Sequence, residues 1–579
     1  MMGTFDGLKK RISVAKGESP ADLVLKKGRV VNVFTGDIRE RDIAISEGVI
    51  AGLGADYRGR EEIDLEGKWI APGLIDGHLH IESSMLVPSG LAAALIVHGT
   101  TAIVADPHEI ANVMGIEGIR FMLEESRSLP FDVYFMAPSC VPATCLETSG
   151  ANLTASDLME LKNEPLVLGL AEMMNFPGVL MGDDQVLKKI AVFKDRILDG
   201  HCPSLLGRDL QAYLAAGIRS DHESTVLSEG LEKLESGMML MIREGTSAKN
   251  LEELLPLVND TNSRRFCFVS DDLNAEEIQR RGHLNFVLKK AVELGLDPAT
   301  AIRMVTLNPA EYFGLKDRGA IAPGYRADLA VFNDLKGFEI YSVYKAGSRI
   351  VNEGDLIDFP LKKIQMPSGR PKPLNMGPLT QESFRIPHSG GKARVIEIIP
   401  GQITTRMSHE KIKADGGWIV TDIRSDILKL CVVERHIASG NIGLGLVKGF
   451  GLKHGAIASS VAHDSHNVIV VGVSDAAILA AVETVGDMGG GLAVVRNDGK
   501  ITAKVPLGIA GLMSLQPLNT LVKELQTIKT AASDLGCTLE EPFMALSFLA
   551  LPVIPELKLT DMGLVDVNRF EIVPLFLEN

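Results

Sequence analysis

The stretch PGLIDGHLHIESS, residues 72–84, decides how the rest of the chain is interpreted. It is a short apolar run that ends in His78 and His80, two positions apart. In an extended strand, side chains two positions apart point to the same side. Both imidazoles can therefore face one metal ion, although an HxH pair is common and by itself does not establish a metal site.

Seven further apolar runs follow, separated by segments with helical character. Eight strand–helix units in about 250 residues match a TIM-type barrel in number and size. We therefore predict an α/β protein in which residues 71–318 form a (β/α)₈ barrel. The runs predicted as barrel strands are Trp69–Ile75, Thr101–Ala105, Asp132–Ala137, Leu166–Ala171, Ile197–Gly200, Ile218–Ser220, Met238–Ile242 and Phe266–Ser270.

The segments that flank the barrel are rich in β-branched residues between glycines, as in DLVLKKGRVVNVFTG and GAIAPGYRADLAVFND. This pattern predicts short strands joined by tight turns. We expect residues 1–70 and 319–365 to form one small β-sandwich domain built from both flanks. Prolines predict an extended connector over residues 366–392. Residues 393–579 are predicted to form a separate C-terminal α/β domain.

In a barrel of this kind, catalytic residues lie where the strands end. Imidazoles and carboxylates follow most of the apolar runs, and these groups are ligands of divalent transition metals. Glu172 stands between two histidine pairs in barrel order, and a carboxylate can bridge two ions about 3.5–4 Å apart. We predict two ions, the first held by His78, His80, Glu172 and Asp271 and the second by Glu172, His201 and His222.

The predicted metal pair implies a nucleophile. A divalent ion lowers the pKa of bound water toward about 7, so a metal-bound hydroxide is expected at neutral pH. Asp271 is the predicted general base, which takes the proton of the hydroxide and passes it to the leaving group. Asp271 and Glu172 are therefore the predicted catalytic residues.

The composition argues against several classes of protein. A net charge of −15 without a basic run disfavours nucleic-acid binding. No stretch approaches the roughly 20 apolar residues of a membrane helix, and the first residues lack the apolar core of a signal peptide. Six cysteines without a CxxC pair do not form a disulfide framework. We expect a cytoplasmic enzyme that acts on a small molecule and has no membrane partner.

Several stretches together resemble one known family. The strands that lead into PGLIDGHLH look like the entrance of the amidohydrolase superfamily barrel. The chain also resembles the bacterial adenine deaminases of that superfamily, over about residues 20–575. The stretches that carry this resemblance are HLHIESSM, DPHEIANVMG, GLAEMMNFPGV, DGHCPSL, SDHES, LMIREG, SDDLN, HDSHN, GGGLAVVRN and PLGIAGLMS.

The resemblance implies the hydrolysis of adenine to hypoxanthine and ammonia in purine salvage. It implies a binuclear site that works with manganese, with iron or zinc as alternatives, and its ligand positions match the six predicted here. Glu172 stands where many hydrolytic members carry a carboxylated lysine, which favours a deaminase. In the family pattern an arginine follows the two aspartates of the eighth strand; this chain has Leu273 there, so the role of that position stays open.

Recognition of adenine needs hydrogen bonds to the edge of its ring. Polar residues near the barrel mouth are candidates for this role. Alternatively, each of them supports a metal ligand or caps a loop. They are Glu82, Ser83, Asp106, His108, Arg243, Glu244 and Asp272. His463 and His466, in the C-terminal HDSH segment, either reach an active site, including one in a neighbouring subunit, or stabilise a turn.

Two alternatives remain open at this point. The same binuclear site could open the ring of a cyclic amide or imide, and release of ammonia against ring opening separates the two reactions. The C-terminal unit could also serve only in oligomerisation or binding, with the barrel as its scaffold. We expect the chain to form a homo-oligomer, a dimer or larger.

Overall fold

A computed structural model describes residues 5–246, 248–357, 359 and 374–577. Its centre is a ring of eight parallel strands, here called barrel strands 1 to 8 in chain order. Strands 1 to 5 pair in one sheet and strands 6 to 8 in another. Their bounds are Leu74–Leu79, Thr100–Ala105, Asp132–Ala137, Val167–Met173, Ile197–Gly200, Ser220–Asp221, Met239–Arg243 and Phe266–Val269.

Backbone hydrogen bonds close the ring at both seams between the two sheets. The Asp271 N–H donates to the His78 carbonyl at 3.0 Å, which joins strand 8 to strand 1. The Arg219 N–H donates to the Leu198 carbonyl at 3.1 Å, which joins strand 6 to strand 5. The first of these seams already brings a predicted histidine ligand next to a predicted aspartate ligand.

The barrel strands are buried on both faces, and their side chains alternate between two cores. Val104, Met136 and Met241 pack in the barrel interior. Their neighbours Ile103 and Phe135 pack in the layer formed with the surrounding helices. Alternate side chains of a strand point to opposite faces. Because both faces of these strands are buried in apolar cores, the sequence shows continuous apolar runs rather than alternation.

Helices follow the barrel strands and cover the ring. Asn274 illustrates how one begins: its side chain accepts the N–H of Glu277 at 2.8 Å and caps the helix Ala275–Arg281 directly after the predicted ligand Asp271. The helices of this region are Pro88–Ile96, His108–Ser126, Ala155–Leu161, Phe176–Met181, Asp184–Val192, Gly207–Ala215, Leu227–Glu235, Leu251–Leu254, Ala275–Arg281, Leu284–Glu293, Pro298–Met304 and Leu307–Tyr312.

The first predicted strand, Trp69–Ile75, is two strands in the structure. Trp69–Pro72 pairs with Leu329–Phe332 in an outer sheet, and barrel strand 1 begins only at Leu74. Gly73 separates them, and a Cβ at this position would lie 2.3 Å from the Thr101 hydroxyl oxygen. The apolar run is continuous across this glycine, so periodicity alone did not reveal the change of sheet.

Strands from both flanks of the barrel share the outer sheet, which has nine strands. The flanks are joined by the antiparallel pairing of Trp69–Pro72 with Leu329–Phe332 and by backbone hydrogen bonds such as that from the Ile50 N–H to the Tyr325 carbonyl at 2.8 Å. The strands are Ala21–Val31, Ile38–Ser46, Val49–Gly54, Gly59–Asp64, Trp69–Pro72, Leu329–Phe332, Ile340–Lys345, Ser348–Asn352 and Asp355–Leu356, and the helix Phe5–Ala15 precedes them. The predicted sandwich and the predicted domain boundaries stay predictions.

The C-terminal unit is built on a largely antiparallel sheet of eight strands, accompanied by two small sheets. The eight strands are Lys392–Ile398, Thr405–Lys411, Ile427–Val433, Ile442–Lys448, Ala456–Ser459, Val468–Gly472, Gly491–Val495 and Ile501–Pro506. The short strands are Ala414–Asp415, Trp418–Ile419, Leu557–Thr560, Gly563–Asp566 and Glu571–Val573, and the helices are Asp475–Asp487, Leu518–Asp534 and Pro542–Phe548.

Part of the predicted proline-rich connector packs against this unit. Residues 366–373 lie outside the described residues. From Leu374 onward the chain is described, and Leu374 and Phe384 are buried in the same core as the helix Asp475–Asp487. The connector therefore joins the C-terminal core before residue 393.

The C-terminal unit also contacts the barrel at its carboxyl end. The Ser514 N–H donates to the Met85 carbonyl at 2.8 Å, and the Asn467 side chain donates to the Thr148 carbonyl at 2.9 Å. Lys529 forms an ion pair with Glu276. The unit thus lies over the end of the barrel where the predicted ligands are. Among the described helices, none is long and apolar enough to cross a membrane.

Candidate metal centre

The predicted metal ligands meet at the carboxyl end of the barrel. His78 Nε2 and His80 Nε2 lie 3.5 and 3.2 Å from Asp271 Oδ1. The rings of His78 and His222 stack with centroids 4.2 Å apart. The structure therefore brings together residues from strands that are far apart in the chain: His78, His80, Glu172, His201, His222 and Asp271.

Glu172 presents one oxygen to each histidine pair. Its Oε1 lies 3.4 Å from His80 Nε2 and 4.0 Å from His78 Nε2. Its Oε2 lies 2.7 Å from His201 Nδ1 and 3.1 Å from His222 Nε2. This is the arrangement that a carboxylate bridging two ions requires.

The protonation pattern of His80 fits a metal ligand. Its Nδ1 lies 3.2 Å from the Asp106 carbonyl oxygen. A carbonyl can only accept, so Nδ1 carries a proton, and Nε2 is the atom that offers a lone pair when the ring is neutral. Burial opposes a charge on His80, but the Asp271 carboxylate raises its pKa well above the ordinary value, so a bound cation would displace a proton from Nε2. Nε2 faces carboxylate oxygens, and within the described residues the nearby His78 Nε2 is buried without a hydrogen-bond partner. Converging lone pairs of this kind fit a cation between them.

The charges at the site support the same conclusion. Burial alone would raise the pKa of Glu172, but His222 and His201 hold it well below its usual range. Burial would also raise the pKa of Asp271, but Arg243 holds it well below its usual range. Both carboxylates are therefore ionised at neutral pH, which is the form that binds metal.

Arg243 and Glu223 form a second layer around the ligands. The Arg243 guanidinium donates to Asp271 Oδ2 at 2.7 Å and forms a two-pronged ion pair with Glu223. Glu223 in turn lies 3.5 Å from His222 Nε2 and 3.6 Å from His201 Nδ1. Arg243 therefore fixes the free oxygen of Asp271 while Glu223 faces the second predicted ion.

Asp271 is also positioned through its backbone and its neighbours. Its φ of 56° lies in the left-handed region, which non-glycine residues seldom adopt. Asp76 stabilises this turn, because its carboxylate accepts the Ser270 hydroxyl at 2.7 Å and contacts His283 Nε2 at 2.9 Å. His283, which also lies 3.3 Å from the Ser270 hydroxyl oxygen, thus ties the end of strand 8 to strand 1.

A cavity of about 50 Å³ opens above the predicted ligands. The barrel supplies one side of the cavity and the C-terminal unit supplies the other. The C-terminal residues that line it are Ile403, His463, Asp464, Phe548, Leu551 and Ile554.

Three of the seven candidate substrate residues line this cavity: His108, Arg243 and Asp272. Glu82 and Ser83 line a neighbouring cavity, which shares Asp272, His463 and Phe548 with the first. Burial and the nearby Glu109 raise the pKa of Glu82 to about 7.

The remaining two candidates have other partners. Asp106 contacts His108 Nδ1 at 3.1 Å and accepts the His108 N–H. Glu244 turns toward Lys290 and Arg281, with which it forms ion pairs at 3.1 and 3.5 Å. The structure thus does not bring Glu244 into the cavity, while substrate binding by the other candidates stays a prediction.

The HDSH segment reaches the barrel mouth of its own chain. His463 Nδ1 lies 3.3 Å from Glu109 Oε1, and His466 Nε2 lies 3.8 Å from Glu109 Oε2. Asp464 Oδ1 lies 3.8 Å from His108 Nε2. Of the two alternatives for this segment, contact with an active-site mouth is therefore the one that the geometry supports.

Sequence reasoning missed two acidic residues of this site as functional candidates, Glu109 and Glu223. Each directly follows a histidine that was considered, His108 in one case and His222 in the other. Strand alternation predicts that adjacent residues face opposite sides. Barrel strand 6 ends at Asp221, however, so His222 and Glu223 lie beyond it and both face the cavity.

Comparison with known proteins agrees with these observations. Residues 69–350 match the model of the amidohydrolase family, and residues 402–571 match that of the adenine deaminase C-terminal domain. An adenine deaminase of Desulfatibacillum aliphaticivorans is 51% identical over 569 residues, which are 98% of this chain and 99% of the relative. One of Dehalococcoides mccartyi is 51% identical over 567 residues, with 98% and 99% covered.

A third relative, named adenine deaminase 2, comes from Carboxydothermus hydrogenoformans. It is 48% identical over 573 residues, which are 98% of this chain and all of the relative. Identity at this level over nearly the whole length includes both the barrel and the C-terminal unit. The chain therefore belongs to the adenine deaminases of the amidohydrolase family.

Proposed function

We propose that this chain hydrolyses adenine to hypoxanthine and ammonia, a reaction of purine salvage. The observation that carries the proposal is Glu172, whose two oxygens face two separate histidine pairs at a cavity between the barrel and the C-terminal unit. The names of the full-length relatives support the same reaction. A cyclic amide hydrolase would also need such a barrel, but none of these three relatives carries that activity in its name.

We further propose that the site holds two divalent cations, manganese first, with iron or zinc as alternatives. Its donors are imidazole nitrogens and carboxylate oxygens without a thiolate, a set that suits all three metals. When bound, the ions lower the pKa of water enough to supply hydroxide at neutral pH. The ligands proposed for the first ion are His78, His80, Glu172 and Asp271, and those for the second are Glu172, His201 and His222.

In this proposal Asp271 is the proton shuttle. Its Oδ2 is occupied by the Arg243 guanidinium, which leaves Oδ1 directed at the histidines of the first ion. Oδ1 would take a proton from the nucleophile and deliver it to the exocyclic nitrogen as the C–N bond breaks. With this proton the exocyclic nitrogen leaves as neutral ammonia; without it, the leaving group would be the negatively charged amide ion.

The C-terminal unit limits water at this reaction. Phe548, Leu551 and Ile554 line the cavity opposite the metal ligands and are apolar. Removal of water strengthens the interactions between charges and substrate in the cavity. A role of this unit only as an oligomerisation module is therefore not favoured. The location of the chain in the cytoplasm and its assembly as a homo-oligomer stay predictions. All six cysteines are unpaired, which is compatible with a reducing compartment.

One experiment tests this function directly. The purified chain is stripped of metal, reloaded with manganese and assayed with adenine, while metal content is measured in the same sample. We expect ammonia and hypoxanthine in equal amounts and full activity at about two ions per chain. Ring opening of a dihydropyrimidine without ammonia release from adenine would instead support the cyclic amide hydrolase. Full activity at one ion per chain would contradict the bridging role of Glu172.

A further inference from the structure

A second group of buried imidazoles lies where the C-terminal unit meets the barrel. Glu109, from the second barrel loop, stands between His463 and His466 of the C-terminal unit. All three side chains are at most 9% exposed. This Glu109 cluster has the composition of a metal site, and its polar atoms converge in the same way as those around Glu172.

The protonation of His466 shows that the Glu109 cluster is not a metal site. His466 Nδ1 accepts the Ala462 N–H at 3.1 Å. An accepting Nδ1 has no proton, so Nε2 of this ring carries it and points a donor at Glu109 Oε2. Burial also lowers the pKa of His466 well below its ordinary value, which keeps the ring neutral. His466 Nε2 lies 3.8 Å from Glu109 Oε2, beyond hydrogen-bond distance, and within the described residues neither atom has a hydrogen-bond partner. A proton on Nε2 nevertheless leaves His466 no lone pair for a cation.

His463 differs from His466 in the direction in which its pKa is shifted. Burial disfavours charge on its ring, but the Glu109 carboxylate raises the pKa of His463 to about 9. Its ring stacks on Phe548, with centroids 4.5 Å apart and planes 22° apart. Its contacts with Glu109 and Asp464 are both made by Nδ1, and the residue lines both cavities at the barrel mouth. The ring is thus fixed at one edge, and the Nε2 edge is left for the cavity.

We propose that His463 of the C-terminal unit is a substrate-binding residue, which donates a hydrogen bond from Nε2 to a ring nitrogen of the purine. The inference rests on the proposed function, because it assigns a ligand to the same cavity. Adenine presents several ring nitrogens that accept hydrogen bonds, whereas the acidic side chains of the cavity can only accept when ionised. Arg243 is already bound to two carboxylates, and His463 offers a donor from the C-terminal side of the cavity.

Competitive binding of adenine analogues tests this proposal. The probes are 1-deaza-, 3-deaza- and 7-deazaadenine, each of which lacks one ring nitrogen, with manganese-loaded enzyme. Their inhibition constants are measured on wild type, His463→Ala and His463→Gln. Gln retains an N–H donor on a shorter side chain. His409→Ala is the matched control, since His409 is an exposed histidine of the same unit.

We expect His463→Ala to lower kcat/KM about 10- to 100-fold, the cost of a lost hydrogen bond to a charged group. Its metal content should stay at the wild-type value. One deaza analogue should bind wild type more weakly than adenine, and this difference should vanish in His463→Ala. His463→Gln should recover part of the loss, and His409→Ala should behave as wild type.

The outcomes separate this inference from the proposed function. If wild type releases no ammonia from adenine, the function itself is wrong. If wild type is active but each deaza analogue is disfavoured equally in wild type and in His463→Ala, His463 does not contact a ring nitrogen. Unchanged kcat/KM in both His463 variants would overturn the proposal as well.

Discussion

Two glutamates at the barrel mouth have similar surroundings and different chemistry. Glu172 and Glu109 are both buried, and each stands between imidazoles at distances of 2.7–4.0 Å. Around Glu172, His80 donates its Nδ1 proton to a carbonyl and turns Nε2 toward the carboxylate, where loss of the Nε2 proton would free a lone pair for a cation. Around Glu109, His466 accepts at Nδ1 and turns a proton toward the carboxylate.

This contrast shows that a single backbone contact decides what a histidine–carboxylate cluster can do. A carbonyl behind the ring makes the far nitrogen a metal ligand, and an amide N–H behind it makes the far nitrogen a donor. We therefore propose that the Glu172 cluster binds the metals and that the Glu109 cluster binds the substrate. The origin of the histidines also differs, because the barrel provides all those around Glu172, whereas Glu109 lies between barrel histidines and His463 and His466 of the C-terminal unit.

The largest effect is expected from Glu172→Gln. A neutral amide cannot bridge two cations, so the bound metal should fall below two ions per chain and activity should drop by several orders of magnitude. Metal analysis and the ammonia assay on the same sample measure both quantities. Glu109→Gln is the matched control for a buried glutamate between histidines. If it lost as much metal as Glu172→Gln, the distinction between the two clusters would be wrong.

The next effect is that of Asp271→Asn. The amide can still approach the first ion but cannot accept a proton, so kcat should fall roughly 10²- to 10⁴-fold with metal largely retained. Kinetics and metal content together check this. Near-normal turnover at full metal loading would remove Asp271 from the role of proton shuttle.

Arg243→Met should have a smaller effect. The change leaves Glu223 without its cation and frees Asp271 Oδ2, so the ligands lose their fixed orientation. Loss of such supporting contacts costs about 10- to 100-fold in metal affinity or activity. Titration of the stripped protein with manganese measures the affinity. Arg243→Lys keeps the charge but not the two-pronged contact and should fall between wild type and Arg243→Met.

The smallest effect concerns pH and the Glu109 cluster. With Glu109 present, the raised pKa of His463 keeps its ring charged below about pH 9, and the charge is lost as the pH rises through that value. In Glu109→Gln, burial opposes the charge and Asp272 and Asp464 still favour it, so the pKa of His463 should fall and less of its ring should be charged at pH 7. Adenine affinity at pH 7 should therefore fall roughly three- to tenfold, because a charged donor is about twice as strong.

The pH profile sharpens this prediction. Wild type should lose affinity between about pH 8 and 10, whereas Glu109→Gln should show no step in that range, so the two converge at high pH. Inhibition constants measured across pH test this with the metal content held constant. A step of equal size in both proteins would mean that another group titrates.

The outcome for the two clusters explains which parts of the site were predictable. The meeting of the six predicted ligands could be predicted because each lies at the end of an apolar run, and the ends of parallel strands in a barrel must converge. Glu109 and His463 belong to different units, so their contact depends on how the C-terminal unit lies over the barrel. No local pattern in the sequence carries that information. The tautomer of His466 is set by the Ala462 N–H, which periodicity cannot reveal.

The fold shows the same division between local and long-range information. Seven barrel strands lie within about two residues of the predicted runs, because a buried parallel strand is apolar on both faces. The first run was divided at Gly73, where Trp69–Pro72 leaves the barrel to pair with Leu329–Phe332. That pairing partner lies after the barrel in the chain, so the sequence around Gly73 does not indicate it.

A crystal structure of the manganese-loaded protein, with anomalous scattering recorded at the manganese edge, tests the central claim most directly. We expect two peaks about 3.5–4 Å apart, one on each side of Glu172, and none between Glu109, His463 and His466. A single peak at Glu172, or a peak at the Glu109 cluster, would contradict the account.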